Sequence, residues 1–159
     1  MKPLALQEDL VRTSHNYYQG LIAFRKAHPA LRLTQKSDII AALTDEMTDN
    51  NNLVVMVNNG AGLEGSIVSV FNADAEAQTV TLPEGKWNVC VTKSTAGTEA
   101  LAVVEGSVTV EGTSAMILTA AAADAELKPL AEETADELTE EEAGSMLDSI
   151  KAFFDSLFG

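Results

Sequence analysis

Beyond Leu53 the sequence changes its hydrophobic period, and that change limits the fold more than any other feature of the chain. Downstream, apolar residues come in short, β-branched runs at 53–57, 66–71, 78–82, 86–92, 107–110 and 115–118. Between them stand Asn59-Gly60, Asn72-Ala73-Asp74, Pro83-Glu84-Gly85, Ala96-Gly97 and Glu111-Gly112, residues whose backbone preferences suit chain reversals. Short strands this closely spaced predict a mainly β chain built on an antiparallel β-sandwich.

Upstream the period is helical. Over 7–26, Leu10, Tyr17, Leu21 and Phe24 fall on one stripe, and Val11, Tyr18 and Ile22 form a second beside it. This spacing predicts a helix with a wide apolar arc, ended by His28-Pro29 because proline pushes the preceding residue out of helical geometry. A shorter helix is expected from a cap at Thr34 or Ser37, carrying Ile39, Ile40 and Leu43. From Ala120 the chain turns alanine- and acid-rich, and Thr139-Glu140-Glu141-Glu142 has the form of a capping box. Met146, Leu147, Ile150, Phe153, Phe154, Leu157 and Phe158 then share one helical face, opposite Asp148, Lys151 and Asp155. The expected organisation is a helical segment at 1–52, the sandwich at 53–119, and an acidic linker with a C-terminal amphipathic helix at 120–159.

The net charge of −14 opposes binding to nucleic acid or to anionic lipid. It is unevenly placed: basic and acidic residues number six and six over 1–52, two and seven over 53–119, and two and eleven over 120–159. No apolar run nears the ~20 residues that span a bilayer. The lone Cys90 has no partner for an internal disulfide and reads as a small buried filler, so it assigns no compartment. A signal for an exported parent would lie outside this sequence.

Several motifs imitate chemistry. Gly60-Ala61-Gly62-Leu63-Glu64-Gly65 fits the dinucleotide fingerprint, yet a phosphate loop must open a helix and the following 66–71 alternates as a strand; a hairpin loop is expected. Asp49-Asn50-Asn51-Asn52 begins like a calcium loop, but Leu53 takes the next ligand position and no distal glutamate follows. His15 and His28 have no partners at metal-ligand spacing. Paired carboxyls for glycoside hydrolysis need a sugar cleft, which the acids of the turns and tail do not supply. No catalytic, cofactor-binding or metal-ligating residue is therefore assigned. Trp87, alternating with Val89 and Val91 against Lys86, Asn88 and Cys90, is expected in a core or between domains. Exposed, it would be the one candidate glycan contact.

The stretch Tyr17-Tyr18-Gln19-Gly20-Leu21-Ile22-Ala23-Phe24-Arg25-Lys26-Ala27-His28-Pro29-Ala30-Leu31-Arg32 resembles the last barrel helix and exit loop of bacterial type I pullulanases, in the alpha-amylase superfamily of glycoside hydrolases. The similarity continues through 53–58, 67–73 and Val80-Thr81-Leu82-Pro83-Glu84-Gly85-Lys86-Trp87-Asn88-Val89, then Ala96-Gly97-Thr98-Glu99, Val108-Thr109-Val110 and Ser114-Ala115-Met116. It ends near Leu118; the acidic tail falls outside it, and Cys90 stands where a larger residue is expected.

The resemblance implies a C-terminal antiparallel sandwich packed against a catalytic barrel that hydrolyses α-1,6 bonds. The family's aspartate nucleophile and glutamate acid/base lie on strands preceding this segment. The expectation is thus a non-catalytic domain that shields and stabilises a debranching barrel. Two other readings remain open: an α-glucan-binding module acting through Trp87, and an adaptor acting through the C-terminal helix. A barrel-facing helix without its barrel also predicts self-association, or cover of its apolar patch by the C-terminal helix.

Overall fold

The computed structural model describes residues 2–46 and 50–131. Asp49, the linker beyond 131 and the expected terminal helix lie outside the described residues.

Helix α1 (Lys2–Ala27) stops where proline requires, with the His28 N–H closing the last turn on Phe24 O at 3.1 Å and a 3-10 turn, Pro29–Arg32, taking over. Helix α2 (Lys36–Ala42) is shorter than its apolar spacing suggests. Leu43, expected on the helix, instead opens strand β1 (Leu43–Glu46), which pairs antiparallel with β2 (Leu53–Asn58). The helix ends because Asn59 takes its terminal carbonyls: the Asn59 N–H donates to Ala42 O at 2.9 Å and its side-chain amide to Ala41 O at 3.0 Å.

Strands β3 (Ile67–Asn72), β4 (Gln78–Val91), β5 (Ala102–Val110) and β6 (Ser114–Ala120) complete one antiparallel sheet in the order β1-β2-β3-β6-β4-β5. The two runs expected at 78–82 and 86–92 are a single strand. Pro83-Glu84-Gly85 does not reverse the chain; it forms a wide bulge, with the register jumping from Thr81 opposite Ser107 to Lys86 opposite Glu105. Gly85 at φ 117° and Gly106 at φ 80° supply backbone that residues with a Cβ avoid. The Trp87 indole N–H, donating to Pro83 O at 2.9 Å, fastens the bulge to the strand.

This bulge turns one sheet into a sandwich. Beyond it, Val80, Leu82, Val108 and Val110 share a buried cluster with Val55, Val68, Val70, Trp87, Val89, Ala102, Met116 and Leu118. The outer half of the β4–β5 ribbon therefore folds back over β2, β3 and β6. Asn72 fixes the closure: its side-chain amide donates to Val110 O at 3.2 Å and Glu111 O at 2.9 Å, joining the ends of β3 and β5, which are not sheet neighbours.

A second irregularity sets the sheet's other face. Trp87 and Val89 face the interior as expected, but the β4–β6 register slips between Val89 and Val91. Val91, expected beside Trp87, thereby joins Cys90 and Ile117 in a separate cluster under α1. The chain after β6 crosses back, Ala121 N–H donating to Lys86 O at 2.8 Å, and Lys128 bridges to Val103 at the β5 edge.

Candidate functional site

Helix α1 is seated closely on the outer sheet face. A Cβ on Gly20 would stand 1.9 Å from Ala96 O, so only glycine lets the helix backbone approach the 92–97 loop. One turn earlier, the Tyr17 hydroxyl donates to Thr92 O at 2.9 Å. Burial, and then the neighbouring Tyr18 phenol, push the Tyr17 pKa up. Phe24, 1% exposed, fills the seam with Cys90 and Val91, and its ring lies 4.2 Å from that of His28. Burial likewise raises the Cys90 thiol, partly opposed by its hydrogen bond with Thr119 and reinforced by the Glu99 charge.

The second stripe, beside the first on the helix, has no cover among the described residues. Val11 is 68% exposed, Tyr18 66% and Ile22 53%. Tyr17, Leu21 and Phe24 of the first stripe thus meet the sheet, while the second stripe faces outward. Single exposed apolar residues are ordinary, but three at positions 11, 18 and 22 form a seam along one helix face.

The exit from α1 is locked to the sheet by the β2–β3 connection. Gly60 to Gly65 is a hairpin loop that leads into β3, with a 3-10 turn at Gly60–Gly62 whose Ala61 N–H is capped by the Asn59 side chain at 2.8 Å. No helix follows, so the geometry that receives a pyrophosphate is absent from this loop. Glu64, within that loop, pairs with His28 through one carboxylate oxygen and accepts the Ala30 N–H through the other at 2.8 Å. Asn58 adds a bond from its amide to Ala30 O at 3.1 Å. Sequence reasoning missed Glu64, whose one signal is a charged residue inside a glycine-rich loop.

His28 is held in this latch, whereas His15 faces solvent. The candidate glycan contact Trp87 is 4% exposed and packed among aliphatic residues, which leaves no open ring face for a sugar in this structure. Among the described residues no group of three or more His, Cys, Asp or Glu is placed to hold a metal. A shallow cleft between α2 and the β2–β3 loop carries Asp38 as its one acid, and a groove beside α1 is lined by Tyr17, Tyr18, Leu21 and Lys93. No described helix is long and apolar enough to cross a membrane.

The fold of much of this chain recurs in solved enzymes. The pullulanase from Bacillus acidopullulyticus matches with 30% identity and a TM-score of 0.60 over 65% of this chain. The chain is similar to part of a bacterial pullulanase. The pullulanase from Paenibacillus barengoltzii, solved with maltohexaose and alpha-cyclodextrin, matches at 28% identity and TM-score 0.51 over 64% of the chain. The type I pullulanase of Bacillus subtilis, solved with maltose, shares the fold at 24% identity and TM-score 0.57 over 67%. Only 13%, 16% and 15% of those pullulanase chains are covered. No protein-family model matches the chain.

Proposed function

We propose that the chain serves as a non-catalytic C-terminal domain of a pullulanase-like hydrolase, packing against the catalytic barrel and stabilising it. The two-sided α1 carries this reading. One stripe is spent on the chain's own sheet, and Val11, Tyr18 and Ile22 are left facing outward, as a helix shared between two bodies requires. In the same reading, 53–119 is the sandwich unit, 1–52 the barrel-derived segment, and the acids of the described residues play no part in glycoside cleavage. The small fraction of each pullulanase that is covered supports the reading, since most of a debranching enzyme lies outside the matched part.

The test is complementation. A pullulanase barrel lacking its own matching segment, mixed with this chain, is expected to gain thermal stability and pullulan hydrolysis, while the chain alone releases no reducing ends. Release by the chain alone, lost on changing one of its own acids, overturns the proposal. A saturable tryptophan fluorescence change with maltooligosaccharides would favour the glucan-binding reading instead.

A further inference from the structure

We infer that, in the chain on its own, residues 146–158 cover the outward stripe of α1 within the same molecule. The stripe of Val11, Tyr18 and Ile22 has no partner among the described residues, and it is apolar where the tail segment is apolar. Met146, Leu147, Ile150, Phe153, Phe154 and Leu157 recur at the spacing of one helix face, the complement that an amphipathic helix brings to an apolar groove.

Charge points to the same pairing. Over 11–27, α1 carries Arg12, Arg25 and Lys26 and no acid, whereas 132–142 carries seven acids and no base. Oppositely charged flanks steer the tail toward this helix rather than toward the acidic remainder of the chain.

Reach and concentration favour the chain's own tail over a second copy. The described chain ends after Lys128 has bridged to Val103, and Val103 lies opposite Asn88, two residues from the Cys90 that α1 covers. The fourteen residues 132–145 extend to ~45 Å at roughly 3.3 Å each, against ~25 Å for helix 11–27 at about 1.5 Å per residue. A tether of that length holds its end at an effective concentration of order millimolar. Two copies, each at net charge −14, repel one another.

The inference concerns the chain without its barrel and stands apart from the proposed function. The experiment uses the full chain with a nitroxide at Gln19→Cys, an exposed position beside the stripe, Cys90 being buried. Amide resonances of 146–158 are expected to broaden when label and isotope share one molecule, and to stay sharp when labelled chains are mixed with isotope-enriched chains lacking the label. Sharp resonances in both samples, or equal broadening in both, overturn the inference. The same measurement on Phe153→Ser with Phe154→Ser is expected to lose the broadening, and its persistence would likewise overturn the contact.

Discussion

The interior of the sandwich and the seam under α1 sit on opposite sides of one strand, yet they are closed differently. The interior is enclosed by this chain alone, with Trp87 and Val89 from β4 surrounded by residues of β2, β3, β5 and β6. The seam rests on Cys90, Val91 and Ile117 below and on a single helix above. That helix has a second apolar side which the described residues do not cover. A closed core makes a domain, and a helix with a second, uncovered apolar stripe is what the proposed role as a joint needs.

The contrast predicts unequal responses to substitution. Trp87→Ala removes the largest side chain of the interior together with the indole bond to Pro83 O. A cost of ~3–5 kcal/mol is expected, enough to unfold the sandwich, with urea denaturation as the check. Gly20→Ala places a methyl against Ala96 O and is expected to cost about 1–3 kcal/mol, through displacement of α1 while the sandwich persists. Native near-ultraviolet dichroism of Trp87 with faster amide exchange in α1 would confirm that split; loss of both together would erase it.

Alkali acts on the seam before the interior. The folded Tyr17 pKa is raised above the ordinary tyrosine value of 10.0, so its contribution is fully present below that pH. It is lost as pH rises beyond 10.0 toward the folded value, because the unfolded chain ionises first. Tyr17→Phe should flatten that part of a stability–pH curve. The smallest expected effect is that of Tyr18→Ser with Ile22→Ser on unfolding of the sandwich, each within about 0.5 kcal/mol because neither belongs to its core. The same pair should abolish complementation of a truncated barrel, which separates the helix's two sides by function.

Most strand positions were legible because alternation survives wherever pairing is regular, as at β2, β3 and β6. The errors gather at irregular backbone. Pro83-Glu84-Gly85 has the residues of a turn, but paired strands on either side and a glycine opposite at Gly106 carry the chain straight on. The early half of β5, 102–106, went unread because Glu105-Gly106 interrupts the run and the adjacent Ala102-Val103-Val104 shows no alternation. Val91 changed faces because a bulge shifts the period-two count by one, a signal invisible without the partner strand. The two stripes of α1 were legible from spacing, but which of them met the sheet was decided by Gly20 and the Ala96 carbonyl, a contact across 76 positions of sequence. Glu64 was silent for the same reason: its partners, His28 and Ala30, come from a different element.

The sequence holds one cysteine and one tryptophan, and the fold puts one in each cluster. Thiol labelling of Cys90 and fluorescence of Trp87, followed together through a urea titration of the intact chain, measure seam and interior separately. Opening of the seam first, with Cys90 modified at urea concentrations where Trp87 fluorescence is still native, is the predicted result. Labelling that begins only where the fluorescence changes would mean one cooperative core, and would contradict the account of α1 as a joint.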